Sequence, residues 1–400
     1  MISLLREGTI FGPEPLGKKD ILILGKRIGA VTEPGKIKIK GVDVALIDIR
    51  DKIVVPGFID SHVHLLGGGG EGGPSTRAPE IRVEDIVSSG VTTVIGCLGT
   101  DSITRHMESL LAKARGLEIE GITTFIFSGS YEIPVKTITG SVRSDLVLID
   151  KVIGAGEIAI SDHRSSQPTF EEIARLAAEC RVGGMLGGKA GKLHLHLGDG
   201  KRRLDLLFRL MKETEIPASQ VIPTHVNRNP RLLEQAIEFV LAGGYMDLTT
   251  GIGTDPEDTL GISVEKSILL SKEKGLPLER ITVSSDSNGS IPVFDEGGKL
   301  LGLTVATQKD FIKTFRSLIK ENILSLEESA SFFSTNAAHF YKLREKGEIK
   351  EGMDADLLVF DRDLSLTDCF ACGRRMLEEG KVAVKGIFSH IQKGMNDEYK

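Results

Sequence analysis

The stretch Gly57-Phe58-Ile59-Asp60-Ser61-His62-Val63-His64, reading GFIDSHVH, runs straight into LLGGGGEGG. It sets two of the chain's nine histidines one residue apart at the end of an apolar run. On a β-strand, residues i and i+2 point to the same side, so His62 and His64 project together, about 7 Å apart along the backbone. Two imidazoles so placed can converge on one metal ion. The kind of strand that carries them decides the fold, and the rest of the chain shows which kind it is.

From about residue 56, apolar strands alternate with helices at intervals of roughly thirty residues, the rhythm of repeated βα units. The strand candidates are residues 57–60, 92–97, 121–127, 157–160, 193–197, 221–224, 246–249 and 281–284. Thr169-Phe-Glu-Glu172 is a capping box, followed by Ile173, Leu176, Ala177 and Cys180 on one helix face. Residues 230–241 are amphipathic and stop at Gly243-Gly244. The first fifty or so residues instead read as short strands with turns between them, at 20–24, 28–31 and 45–49. Strand character returns after about residue 345, at 355–360 and 381–388. The predicted fold is α/β: a (β/α)8 TIM-like barrel over residues 56–344, with a small β-sandwich domain formed by both chain ends, 1–55 and 345–400. No internal repeat is evident.

Composition narrows the function. A formal charge of −6, aromatics at 5% and no tryptophan argue against a nucleic-acid or anionic-membrane partner. No window reaches 18 uninterrupted apolar residues and the amino terminus lacks a basic start before a long apolar segment, so a cytoplasmic protein is expected. Cys97, Cys180, Cys369 and Cys372 are too few for a disulfide scaffold. Cys369 and Cys372 have redox CxxC spacing but no thioredoxin-like surroundings, and read as ordinary thiols.

Barrels of this kind place their chemistry at the carboxyl ends of the strands. His62 and His64 end the first strand, His196 the fifth (KLHLHLGDG), His225 the sixth (VIPTHVNR) and Asp286 the eighth (ITVSSDSNGS). Imidazoles and a carboxylate at one rim are the ligand set that ions such as zinc prefer in catalytic sites. The other histidines are weaker candidates. His194 shares a face with His196 one layer deeper and reads as core or a support to the ligands. His106, His339 and His390 read as surface or packing residues, and His163 is poised between support and structure. Lys192, in GGKAGKL, does not fit a phosphate loop, because Leu186 and Leu193 stand where a glycine and a Ser or Thr are needed.

With these residues assembled, the chain resembles the amidohydrolase superfamily, through PGFIDSHVH, the later histidines and aspartate, and GEIKEGMDADLLVF. Within it the chain is similar to the isoaspartyl (β-aspartyl) dipeptidases, through GGGGEGGPSTRAPE, LGTDSITRH, TITGSVRSD, AISDHRSSQP, RVGGMLGGKAGKLHLHLGD, PTHVNRNP and SSDSNGS. The resemblance implies two zinc ions per subunit bridged by hydroxide, with His62, His64 and Asp286 on the more buried ion and His196 and His225 on the second. It also implies a carboxylated lysine on the fourth strand. Aligned on AISDHRS, that position is Glu157; Lys151 and Lys189 match poorly. A glutamate offers the same two-oxygen bridge on a shorter arm, and Gly154 and Gly156 would ease its approach. A site holding one metal is the alternative.

The implied reaction is hydrolysis of the side-chain amide of an isoaspartyl dipeptide. Asp286 would take the proton of the attacking water and pass it to the leaving amine. Tyr131 would donate to the developing oxyanion. Glu71 would pair with the substrate ammonium, and Arg164 and Arg228 would grip its carboxylates. Gly69, Thr100 and Ser290 match further family contacts, with the glycine run bringing the main chain close to substrate. A homo-oligomer is implied as well. The competing expectations are another binuclear amidohydrolase, opening a cyclic amide or deaminating a base, and a non-catalytic scaffold.

Overall fold

The structure, a computed structural model, describes residues 2–254, 260–294 and 300–387. Six parallel strands, Phe58–Val63, Val91–Gly96, Thr123–Ser128, Val152–Ile160, Lys192–Leu197 and Val221–Thr224, pair in sequence order as one sheet. Met246–Thr249 and Ile281–Ser284 form a separate parallel pair. Every residue of these eight strands is buried except Thr123 and Phe125, as expected for strands covered on both faces. The seam at Phe58 is filled by its ring against Phe311, Phe315, Phe333 and Phe360.

Side chains close the barrel where the main-chain ladder stops. Between the sixth and seventh strands, Asn227 donates to the Thr249 carbonyl at 3.0 Å and accepts from the Thr249 amide at 2.9 Å. Thr224 donates to the buried Asp247 at 2.7 Å, and Thr282 and Ser284 of the eighth strand donate to the same carboxylate. Between the eighth strand and the first, Asp60 accepts from the Ser285 amide at 3.0 Å and from Gln308 at 2.9 Å. The His64 amide donates to the Ser287 carbonyl at 2.9 Å.

The predicted helices are present. Phe170–Gly187 starts at the Thr169/Glu172 capping box and ends on left-handed Gly188. Pro230–Leu241 is capped by Asn229. A hairpin of Ser290–Phe294 with Leu300–Val305 was not anticipated from the sequence.

The chain ends hydrogen-bond as one nine-stranded sheet, where the sequence suggested a sandwich. Its order is Lys381–Val382, Arg374–Glu378, Leu366–Ala371, Leu357–Phe360, Ile53–Pro56, Ile2–Phe11, Pro15–Leu24 and Arg27–Thr32, with Ala45–Asp48 also beside Ile2–Phe11. The joint is Ile53–Pro56, which pairs antiparallel with Leu357–Phe360 and parallel with Ile2–Phe11 and so links amino- and carboxyl-terminal strands. The last predicted strand is reduced to Lys381–Val382; its end, with His390, lies outside the described residues. No helix among the described residues is long and apolar enough to cross a membrane.

Candidate metal-dependent active site

The imidazoles of His62, His64, His196 and His225 meet at the carboxyl end of the barrel around one carboxylate, that of Glu157. Glu157 Oε2 lies 3.3 Å from His62 Nε2, 3.1 Å from His196 Nδ1 and 3.6 Å from His225 Nε2, while Oε1 lies 3.3 Å from His64 Nε2. Asp286 Oδ1 joins from the eighth strand, 3.0 Å from His64 Nε2 and 3.5 Å from His62 Nε2. All the predicted ligands are therefore brought together. Lys151 instead donates to the Thr124 carbonyl and pairs with Glu118, and Lys189 donates to the Ile149 carbonyl.

The backbone is shaped to deliver these groups. His225 and Asp286 both adopt left-handed φ, 60° and 52°, a costly conformation that turns each side chain inward past the end of its strand. Gly156, with φ of 146°, precedes Glu157, and a Cβ there would sit 2.6 Å from the His194 carbonyl oxygen. Only glycine lets the fourth strand run that close to the fifth.

Burial and charge then act on the cluster. Burial alone would raise the Glu157 and Asp286 carboxyl pKa values, but the surrounding imidazoles hold both well below the usual carboxylate range. Burial drives His225 down to about 3 and His194 well below the ordinary histidine value, so both are neutral and free to use a nitrogen lone pair. Burial and the neighbouring Glu157 push the Tyr131 phenol well above its ordinary value, keeping it a donor.

The donor set fits a cation centre. His62 Nε2, His225 Nε2, Glu157 Oε1 and Asp286 Oδ1 are all buried with no hydrogen-bond partner, an expensive arrangement unless a cation satisfies them. Outer contacts fix the rings, as metal-ligand histidines require. His225 Nδ1 is 2.8 Å from Thr249 Oγ1, and His62 Nδ1 is 2.8 Å from His194 Nε2, while His194 Nδ1 lies 3.1 Å from Tyr341 Oη. His194 thus braces the ring of His62. His163 is exposed, His106 heads a surface helix, and His339 faces Glu348.

Of the predicted substrate residues, Tyr131 and Arg164 lie against His196. Tyr131 Oη lies 2.9 Å from His196 Nδ1. Arg164 stacks over the Tyr131 ring at 5.4 Å and reaches Glu71 at 3.4 Å, and Thr100 donates to the same Glu71 oxygen. Arg228 follows His225 by one 3-10 turn, and its Nε is buried without a partner. Ser290 stands against Gly69, where an added Cβ would lie 3.2 Å from the serine Cβ. The glycine run has a packing cause as well: a Cβ at Gly67, with φ of 75°, would strike the Ala78 carbonyl oxygen at 2.1 Å.

Three residues in this region escaped the sequence reading. Asp162 accepts from Arg164 Nη2 at 2.8 Å and lies 3.0 Å from His196 Nε2, joining a candidate ligand histidine to a rim arginine. Arg105, buried under the glycine run, donates to the carbonyls of Leu66, Gly68, Gly69 and Ala78. Cys97 packs beside His64, its Sγ 3.9 Å from Nδ1. Asp162 and Arg105 lay within motifs already quoted, SDHR and SITRH, but their partners are distant in sequence; Cys97 reads as one more apolar strand residue.

An eight-strand barrel with four imidazoles and two carboxylates at its rim defines an amidohydrolase, and residues 252–388 match the profile of the Amidohydrolase family. The chain is 44% identical to the β-aspartyl dipeptidase of Fervidobacterium islandicum AW-1 solved in complex with the dipeptide β-Asp-Leu, over 96% of this chain and 97% of that one, at a TM-score of 0.89. A second structure of a β-aspartyl dipeptidase from that organism gives 42% identity, 96% and 98% coverage and a TM-score of 0.87. A dihydroorotase of Clostridium acetobutylicum is 24% identical over 91% of both chains. The chain belongs to the isoaspartyl dipeptidase family of the amidohydrolases.

Proposed function

We propose that this protein is a zinc-dependent isoaspartyl dipeptidase, hydrolysing the β-aspartyl amide of dipeptides such as β-Asp-Leu. The observation that carries the reading is the pairing of Glu71 with Arg164 directly over the His196 and Glu157 cluster, an acid and a base set side by side for a zwitterionic substrate. The similarity to a dipeptidase complexed with β-Asp-Leu supports it.

His62, His64, Asp286 and Glu157 would hold the deeper zinc, and His196, His225 and Glu157 the second, with Glu157 in place of a carboxylated lysine. Bound there, the ions would lower the pKa of a water to about 7 and act as Lewis acids toward the carbonyl. The chain's own groups do the rest. Glu71 holds the substrate ammonium, and Arg164 and Arg228 hold its carboxylates bidentately. Tyr131 Oη donates to the oxyanion as it forms. Asp286 accepts the proton of the attacking water and delivers it to the departing amine. Gly69, Thr100 and Ser290 complete the rim around the dipeptide.

Residues 56–344 would carry this chemistry as one barrel domain. The terminal sheet would fold as a small two-layered domain of residues 1–55 and 345–400 over Leu5, Ile23, Val54, Leu357 and Phe370, which share one buried cluster. Exposed Val147, Leu148, Val182, Met185 and Leu186 on the adjoining helices Val142–Leu148 and Phe170–Gly187 support a homo-oligomer; a cytoplasmic location is proposed with it.

The test is hydrolysis of β-Asp-Leu, with α-Asp-Leu and dihydroorotate as controls, before and after chelation and zinc repletion. Selective cleavage that chelation abolishes and zinc restores is expected. Absence of β-Asp-Leu cleavage by the zinc-loaded protein rejects the reading, and a requirement for bicarbonate rejects the Glu157 bridge.

A further inference from the structure

We propose that Cys97 is a thiolate ligand of the deeper cation, a sulfur donor added to His62, His64, Glu157 and Asp286. The proposal rests on the metal-centre reading above but not on the substrate.

Register places the residue. In the parallel pairing of the first two barrel strands, Val63 lies opposite Gly96, which sets His64 level with Cys97. The Cys97 amide donates to the Val63 carbonyl at 3.0 Å, holding the two chains at that level as they leave the sheet. Neighbours level with one another in a parallel sheet point to the same side, so Cys97 faces inward with His64. One donor atom from each of His62, His64, Cys97 and Glu157 falls within a sphere where all lie within 4.8 Å of one another. All four residues are buried.

The neighbouring donors point to a cation independently of the cysteine. His62 Nε2 and Glu157 Oε1 are buried in this cluster without hydrogen-bond partners. The other two fully buried thiols, Cys180 and Cys369, share no such cluster among the described residues. Space at the rim is also kept open: a Cβ at Gly99, two residues on, would lie 3.0 Å from His64 Cε1.

The chemistry follows from ligand softness. A thiol binds a cation as thiolate, forming one metal–sulfur bond and releasing its proton to the buffer. Sulfur donors favour zinc and its late first-row neighbours over magnesium or manganese. Cys97 therefore selects which ion the deeper position retains.

X-ray absorption of the zinc-loaded wild-type protein tests this without any variant: a sulfur shell at about 2.3 Å is expected. A first shell of nitrogen and oxygen alone overturns the proposal. Cobalt-substituted protein should show a thiolate-to-metal charge-transfer band that persists in Cys180→Ser and disappears in Cys97→Ser and Cys97→Ala. A band that survives at full strength in a folded Cys97→Ser protein also overturns it. Loss of Cys97 should weaken zinc retention by more than the roughly 10–100-fold typical of removing an outer-shell partner. Neither spectrum needs a substrate, so failure to cleave β-Asp-Leu would sink the dipeptidase reading and leave this one standing.

Discussion

The two arcs of the barrel are built on different principles. From Phe58 round to Thr224, adjacent strands are joined by main-chain ladders, which any sequence of suitable apolar residues can make. From Thr224 onward to Phe58, closure at the two junctions rests mainly on Asn227, Asp247, Asp60 and their hydroxyl, amide and backbone partners, beside a main-chain bond from the His64 amide to the Ser287 carbonyl. The ladder arc supplies His62, His64, Tyr131 and His196, on or just beyond strand ends, and Glu157 from within the fourth strand. The side-chain arc supplies His225 and Asp286, both in left-handed backbone just past their strands. Rigid pairing thus frames the ligands, while the group proposed to carry the proton stands on the arc whose geometry depends on individual polar residues.

This contrast is open to attack, most severely at Asp286. Asp286→Asn should lower kcat on β-Asp-Leu by on the order of 10²–10⁴, the usual worth of a general acid–base group, with the protein still folded. A loss below tenfold would remove the chemistry from the side-chain arc. Next comes Asp247. Asp247→Ala leaves Thr224, Thr282 and Ser284 without their shared acceptor, and should cost about 2–4 kcal/mol. Thr124→Val, on the ladder arc, breaks only a bond to the Ala114 carbonyl and should cost about 1 kcal/mol. Equal shifts in thermal midpoint would erase the distinction between the arcs.

Asp162→Asn probes the link between a ligand and the rim. It should reduce kcat/KM by roughly 10–100-fold, as outer-shell changes do, and raise KM as Arg164 loses its anchor. An unchanged KM would separate the arginine from substrate binding. The smallest effect lies at the far end of the ladder arc. Burial, and then the nearby Lys342 and Arg181, lower the Lys192 pKa to about 8. A depressed lysine penalises the folded state fully below that pH, and the penalty fades as pH rises toward the unfolded value of about 10.4. Stability should therefore climb across that window, and Lys192→Met should flatten the slope in pH-dependent melting curves.

The sequence made the ladder arc readable because its strands are apolar runs spaced by amphipathic helices, and because His62 with His64, His196 and His225 mark strand ends. The side-chain arc was readable only at its ligands. Asp60 and Asp247 look like polar interruptions until Ser285 and Thr282 are known to face them, 225 and 35 residues away. Cys97 was hidden for the opposite reason, since a thiol at a strand end fits an apolar pattern. That the strands of both chain ends join in one ladder was not legible, because the pairing of Ile53–Pro56 with Leu357–Phe360 joins residues about three hundred positions apart. Periodicity reports which face of a segment is buried, but not which partner covers it.

Gly289 shows how narrowly the position proposed to carry the proton is specified. A methyl group added there would fall 2.5 Å from Asp286 Oδ1, whereas one added at Gly116 would meet nothing within 4 Å. A library randomised at both codons and selected for growth on an isoaspartyl dipeptide should return many residues at 116 and glycine alone at 289. The freedom of this lineage to drift is bounded there by the width of a single oxygen atom.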